Sequence, residues 1–573
     1  VQKKTYHALY AAFFTLVTFT ALFILRRFDD NTLTSWRLVF SDINASKVFL
    51  ILIAGVFSAY LFSTASFYEK RPAFSLFIFS YTVSMIFWGE PEVIMDSSRY
   101  FTQAKHLEVY GAGYFLREWG RGIYAWTDMP LLPFIYGLIF RFLGEQRIFI
   151  QAFTTLLFSM TVMLTFLIGR RLRDEETGFY AGLLMLGMPY LFTQAPLMLV
   201  DVPTMFFFTL SIYAFIRAME KWSIWTAFLA CVSVFLAFFS KYSIWIMLPP
   251  SLAVVFFVYL KKGPRAPGEE ANGWRPGIIV RSAAIALFSG ILIIAVVFLK
   301  YDVISGQISL LKGYQLPGLK RWEEGLISTF FFQINPLITA LAVFSIYVSI
   351  KRRDITYLII GFVLPLMVLM KIRRIRYIMM AFPMLALMGS YGLQAAADKE
   401  SRKYIALCIV CFSLVVSIFA FFPYLRLTSE ENLKNAGDFI NSLDVEDVEV
   451  VTLIGKDMAV NPAVSVPILD LFTNKRIIYR YENASSFRPE DALTSPFRFT
   501  WEYKNPRYYE EKTPVSGEKT VIAVISSVPD EPLPESIKEK LKSYKISRVF
   551  DISGPFRYKT IVSIYRYRGA GNE

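Results

Sequence analysis

Cysteine, histidine and charge are all scarce in this chain. The three cysteines among 573 residues, Cys231, Cys408 and Cys411, lie inside apolar runs, so no disulfide framework supports the aqueous parts and the redox compartment is left unread. With His7 and His106 as the whole histidine complement, a histidine-rich zinc site is excluded. Glycine-rich phosphate loops, a Walker motif and a Ser-His-Asp arrangement are missing, which argues against soluble-nucleotide chemistry at the cytoplasmic face. Charged residues make up 18% of the chain, too few for an ordinary soluble protein.

What is abundant is apolar surface. Hydrophobic residues account for 55%, with 54 Phe, and this identifies a polytopic α-helical membrane protein in contact with membrane lipids. A net charge of +14 does not point to nucleic acid. Lys and Arg fall largely in short clusters between apolar spans, as orientation signals do.

A bilayer core needs about 20 apolar residues per helix. That filter finds about thirteen segments, at 7–25, 48–66, 73–89, 146–168, 178–198, 202–217, 222–240, 243–260, 279–299, 328–349, 355–370, 377–396 and 404–422. Lys3 and Lys4 precede the first, which is too long and too poorly followed by small residues for a signal peptide and reads as a retained anchor. Alternation then places Lys70-Arg71, Arg170-Arg171-Arg173, Arg217 with Lys221, Lys261-Lys262-Arg265, Lys351-Arg352-Arg353 and Lys399 with Arg402-Lys403 on the cytoplasmic side. All obey the positive-inside rule.

The same count exports loops at 26–47, 90–145 and 300–327 and everything after Phe422. The chain therefore divides into N-terminal membrane helices (1–72), a main membrane region carrying the exported loop (73–423) and a soluble extracytoplasmic α/β domain (424–573). Within the long loop, Phe101, Ala104, Leu107 and Val109 to Tyr110 recur near helical spacing, predicting an amphipathic interfacial helix from Ser97 onward. In the tail, strands are expected at 448–454, 476–481, 520–526, 547–552 and 560–567. Helices are expected at about 430–442, capped by Thr428 or Ser429, and at 536–544. The tail carries no catalytic motif.

Alternation also exports Lys371-Ile372-Arg373-Arg374-Ile375-Arg376-Tyr377, a cation cluster on the side where cations are normally sparse. Snorkelling side chains can anchor the ends of spans, but Lys371, Arg373, Arg374 and Arg376 within six residues favour a bound anion, since an arginine fork fits a phosphate. Lys241 is a lone and weaker candidate on the same side, and Lys300 with Tyr301 is similar. Asp96 stands just beyond the third span and Asp201 opens another. Each can be a helix-start residue, yet ionisable groups at membrane depth are functional candidates and a partly desolvated carboxylate can take a proton. Arg99, Tyr100 and Tyr377 neighbour these positions as secondary candidates, and Asp128, later in the same long loop as Asp96, is another.

In order and spacing, residues 73–396 resemble the GT-C superfamily of polyprenyl-phosphate-dependent glycosyltransferases, nearest the protein O-mannosyltransferase and lipid A aminoarabinose transferase branch. The resemblance is carried by Asp96 in the first exported loop, by Asp128-Met129-Pro130-Leu131-Leu132-Pro133, by Gly169-Arg170-Arg171-Leu172, by Asp201-Val202-Pro203, and by Arg376-Tyr377 running through to Pro383. Protein mannosyltransferases commonly have Asp-Glu where this chain has Asp96-Ser97, and relatives often have Lys or His where Met129 stands, so the acceptor class stays open.

The resemblance implies a polyprenyl-phosphate sugar donor whose phosphate lies against Lys371, Arg373, Arg374 and Arg376, with Lys241 also near. It implies Asp96 as general base on an acceptor hydroxyl, with Asp201 orienting the acceptor or holding a cation. No cofactor is required by this reading; a divalent metal on Asp96, Glu92 and Asp201 is the alternative. A transporter of an anionic or lipid-linked substrate, which would show paired repeats and broken helices near mid-membrane, and a lipid-diphosphate polymerase or ligase are the competing functions. Asn44-Ala45-Ser46 and Asn483-Ala484-Ser485 are glycosylation sequons on the exported side.

Overall fold

The computed structural model describes residues 2–32, 34–64, 70–262, 275–316, 324–428, 430–455, 460–480, 497–510, 517–529, 531–554 and 559–569, with side chains from residue 9 onward. Arg265, Ser429 and the 483–485 sequon lie outside the described residues.

Eight helices among the described residues are long and apolar enough to cross a membrane: Ala45–Thr64, Pro72–Gly89, Arg147–Leu172, Asp201–Glu220, Ser243–Lys262, Pro276–Leu299, Ile375–Ala396 and Lys399–Leu425. The remaining predicted segments are helical but shorter or interrupted, such as Leu9–Ile24 and Ile224–Phe238. The segment expected at 178–198 splits into Glu175–Met185 and Pro189–Phe192. Pro189 supplies no N–H to continue the ladder, and Met188 before it is extended. The turn that starts Glu175–Met185 is capped by Asp174, whose side chain accepts from Thr177 N. The two helices it joins touch backbone to backbone, because a Cβ on Gly169 would lie 2.6 Å from Gly178 Cα.

The basic clusters between spans interlock at one end of the bundle. Arg171 and Arg217 both pair with Glu220, Lys262 approaches Asp354, and Arg402 pairs with Glu176. Asp96, Asp201, Lys241 and Arg376 gather in a separate group.

The C-terminal region folds around a five-stranded sheet of order β2-β1-β3-β5-β4, with β1 Asp447–Thr452, β2 Arg476–Tyr479, β3 Thr520–Ser526, β4 Tyr544–Phe550 and β5 Ile561–Tyr567. β2, β1 and β3 run parallel, and β5 is antiparallel to β3 and β4. The five strands fall where the sequence predicts them; β4 starts three residues early, at Tyr544 rather than residue 547. Helix Glu430–Asn441 buries Leu433, Ala436 and Ile440 against Val448, Val450, Val521 and Ala523. Helix Val466–Phe472 was not expected; every residue in it is buried, so it has no polar face for a helical period to reveal.

The helix expected from Ser97 onward differs from expectation. Ile94–Tyr110 forms, but its polar face is buried in protein and not left open to water. Phe101 and Ala104 pack with Tyr136, Phe140 and Leu199 of the bundle, and the opposite face, including Lys105 and His106, is buried. The C-terminal region covers it, since Lys105 bonds Asp470 and the His106 ring meets the Tyr508 ring at 5.0 Å.

Candidate functional site

The site is assembled from helix starts and helix breaks. Asp96 lies in the first turn of Ile94–Tyr110, and Arg99 follows one turn later on the same face. Asp128 ends a bend in which Trp126 takes a left-handed φ of 49°, a strained conformation for a bulky residue and one that gathers at functional sites. Asp201 opens its spanning helix. Lys241 occupies the break between Ile224–Phe238 and Ser243–Lys262, and Arg376 lies in the short turn Ile375–Ile378.

These side chains form one ladder of alternating sign. Arg99 Nη2 donates to Asp128 Oδ1 at 3.1 Å and to Asp96 Oδ1 at 3.2 Å. Arg376 Nη1 donates to Asp96 Oδ2, its Nη2 to Asp201 Oδ2 at 2.7 Å and its Nε to the same oxygen at 3.2 Å. Lys241 Nζ donates to Asp201 Oδ1 and stands 4.8 Å from the centre of the Tyr377 ring. Gln103 Nε2 closes the other end on Asp128 Oδ2 at 3.1 Å. Three carboxylates and three cations cancel, so each charge is compensated where it is buried.

The carboxylates are not equivalent. The Asp201 side chain has no exposed surface and that of Asp128 keeps 6%, whereas Asp96 keeps 18%. Asp96 is therefore the carboxylate of the ladder best placed to meet a reactant. Burial works to raise its pKa, but the guanidiniums of Arg376 and Arg99 outweigh that and hold the carboxyl well below the usual range. For Asp128 burial prevails over Arg99, and the value is raised.

The cation cluster does not act as a unit. Arg376 belongs to the ladder, and Arg374 lies 3.9 Å from Glu324, whose carboxylate also accepts from the Ile375 N–H at 3.1 Å. Lys371 and Arg373 are exposed. Tyr100 is buried with Arg99 5.8 Å from its ring centre, and Tyr377 is half-buried beside Lys241. Lys300 is engaged elsewhere, donating to the Arg117 and Trp119 carbonyls, and Tyr301 is exposed.

The alternative metal trio is not brought together. The Arg376 guanidinium lies between Asp96 and Asp201, and Glu92 is held by Arg147 at 2.8 Å, Ser97 Oγ at 2.9 Å and the Met198 N–H at 3.0 Å. Among the described residues no group of three or more His, Cys, Asp or Glu side chains forms a metal cradle. Glu324 and Gln103 were not singled out in the sequence. Gln103 was detectable in principle, one helical turn beyond Arg99 on the same face; Glu324 meets its partner only through the fold.

Residues 128–266 match the family described as dolichyl-phosphate-mannose-protein mannosyltransferase, a segment holding Asp128, Asp201 and Lys241 but neither Asp96 nor Arg376. The structure is similar to that of ArnT from Cupriavidus metallidurans bound to undecaprenyl phosphate, with a TM-score of 0.51 at 12% identity, covering 89% of this chain and 100% of that one. For the same protein in the apo state the TM-score is 0.51 at 10% identity, covering 87% and 98%. An uncharacterized protein of Aquifex aeolicus strain VF5 is 27% identical over 171 residues, 30% of this chain and 34% of that protein. The chain thus spans about a third of the length of that curated relative. The matched segment is similar to that family, and over most of its length this multi-span membrane protein has a fold like that of ArnT.

Proposed function

We propose that the protein is an inverting glycosyltransferase that moves a sugar from a polyprenyl-phosphate donor to an acceptor hydroxyl at the outer membrane face. The observation that carries this reading is the pairing of a partly accessible Asp96 with Arg99 and with Arg376, the latter in the same basic run as the exposed Lys371 and Arg373. The similarity to ArnT, crystallised with undecaprenyl phosphate, supports the donor class.

In this reaction Asp96 accepts the proton of the acceptor hydroxyl. The oxygen attacks the anomeric carbon, the bond from that carbon to the lipid-phosphate oxygen breaks, and the electron pair leaves with the phosphate. Fixed guanidinium and ammonium groups stabilise the charge that develops there. A carboxylate held between two guanidiniums is a poor base, so donor binding has a second effect. A phosphate that competes for Arg376 weakens its bond to Asp96 and raises the basicity of that carboxylate. The incoming negative charge is balanced by Lys371 and Arg373, since the ladder itself is neutral. Asp201 keeps Arg376 and Lys241 in place. The charged groups form one cluster linked through adjoining ion pairs, unlike the mid-membrane substrate site between repeats that a transporter would require.

The test is a purified, reconstituted assay that follows release of free polyprenyl phosphate. Asp96→Asn is expected to lower turnover by about 10³-fold while the protein stays folded and membrane-inserted; substantial retained turnover would overturn the assignment. Competition between monophosphate and diphosphate lipids separates a transferase of this kind from a polymerase or ligase. Flux across proteoliposomes without release of lipid phosphate would favour the transporter. Turnover is expected to persist after chelation of divalent ions.

A further inference from the structure

The tail lacks a catalytic motif, yet it grips the Asp96 helix along its length. Ile94 is fully buried inside the core of the C-terminal sheet region beside Leu433 and Ala436, and Met95 packs against the same core. Further along, the Thr102 carbonyl accepts from Tyr508 Oη at 3.4 Å. Lys105 donates to Asp470 at 2.5 Å and to Glu145 at 2.8 Å, and Tyr509 Oη donates to Asp470 at 2.6 Å. Between these anchors stands Arg99.

The ring of Phe499 lies 4.6 Å from the Arg99 guanidinium carbon, a cation–π distance. Phe499 belongs to the short turn Arg498–Trp501, and that turn is tied down on both sides. Arg498 pairs with Glu502 at 2.7 Å, and Glu502 accepts from Tyr124 Oη at 2.6 Å. Arg498 also stands 5.0 Å over the Tyr314 ring, while Phe499 meets the strained Trp126 at 6.2 Å. Arg99 uses Nη2 for both Asp96 and Asp128, while its Nε is buried without a hydrogen-bond partner. Its plane therefore depends on the shared Nη2 and on the rings beside it, of which Phe499 at 4.6 Å is nearer than Tyr100 at 5.8 Å.

We propose that Phe499 is a positioning residue of the transfer site, holding the Arg99 guanidinium in its bridge between Asp96 and Asp128, so that the C-terminal domain completes the site. This rests on the glycosyltransferase reading for the word transfer, but the seating of Arg99 can be read without it. The charged groups facing Asp96 are Arg99 on its own helix and Arg376 and Arg374 on the neighbouring turn, with Asp128, Asp201 and Lys241 beyond them. Loosening Arg99 removes one of the two guanidiniums that Asp96 contacts and leaves the Arg376 side untouched.

Phe499→Ala in the full-length reconstituted protein is expected to lower kcat by about tenfold with little change in donor KM, as misplacement of a site group does. The acid limb of its pH profile should move upward relative to the unsubstituted protein, because Asp96 loses part of its cationic support. Phe499→Tyr keeps the ring and should restore both; Lys538→Ala, on the exposed rim of the tail, should change neither. Hydrogen exchange gives a readout independent of turnover: residues 97–104 should exchange faster in Phe499→Ala while 430–441 stay protected. If the unsubstituted protein transfers no sugar, the functional reading fails and the exchange result still decides the seating of Arg99. Unchanged exchange at 97–104 would overturn the proposal. So would equal losses in the Ala and Tyr variants with no shift in the pH profile, since that outcome marks a purely structural ring.

Discussion

Arg376 and Arg373 stand three residues apart in one basic run, and the fold gives them opposite surroundings. Arg376 is wedged between Asp96 and Asp201, while Arg373, like Lys371, is exposed. The inner ladder is neutral and paired; at the outer lip Lys371 and Arg373 have no ion pair among the described residues. In the proposed reaction, one arranges the base and the other balances the lipid phosphate. A run of cations on one strip of sequence is thus two devices, separated by which side chains have acidic neighbours.

Substitutions that exchange the two environments test this most strongly. Arg376→Ala takes away the guanidinium between the buried Asp201 and the partly accessible Asp96, leaving them only Lys241 and Arg99, and is expected to destabilise the fold by about 3 kcal/mol as well as remove turnover; thermal unfolding of the solubilised protein would measure it. Arg376→Lys keeps the charge but not the fork that spans Asp96 and Asp201. It should stay folded and lose about 10²-fold in kcat, with donor KM less affected. Arg373→Ala and Lys371→Ala should leave kcat and unfolding unchanged and raise donor KM by about tenfold for the pair together, an effect that shrinks as salt rises. A loss in kcat at the lip comparable with that of Arg376→Lys would erase the distinction.

Much of this arrangement could be read in the sequence, for identifiable reasons. Apolar length found the eight long helices, though it also counted shorter and interrupted segments as full spans, and alternation of side chains found all five strands, because both signals are local. Asp96, Asp201 and Arg376 stood out as charge where charge is costly, and the fold brings them together. The partners of Arg376 were not legible: a run of cations announces positive charge, while Asp96 and Asp201 lie 280 and 175 residues away in sequence. The break at Met188-Pro189 was missed because the residues on both sides of it are apolar, so hydropathy alone runs across it. The helix at 94–110 was misplaced for a related reason. Its polar face has the pattern of a helix facing water, yet Lys105 is satisfied by Glu145 and Asp470, the latter 365 residues on. Phe499 has no distinguishing sequence signal, since it is one of four aromatics at alternate positions, Phe497, Phe499, Trp501 and Tyr503, and nothing local singles it out.

The contact between tail and bundle offers a milder contrast with the ladder, because there carboxyl groups outnumber their cations. Both carboxylate oxygens of Glu90 are buried without a hydrogen-bond partner, and burial, with Glu92 and Glu430 nearby, pushes its pKa well up. Burial, reinforced by Glu92, pushes Glu430 up to about 8 from 4.5, against the Thr428 hydroxyl and Ile94 backbone bonds that lower it. A folded-state value above the unfolded one means that folding takes up a proton between them. The contribution of Glu430 is therefore fullest below about 4.5 and declines as pH rises toward about 8. Asp96 runs the other way: its depressed value gives stability that is present above 3.8 and lost only on acidification. The unfolding midpoint is thus expected to fall by about 2–4 °C between pH 5 and pH 8, with turnover less altered than in any ladder variant. Glu430→Gln should flatten that slope, whereas Asp96→Asn should leave it in place; a slope that follows Asp96 instead would put the titrating group in the ladder and not under the tail.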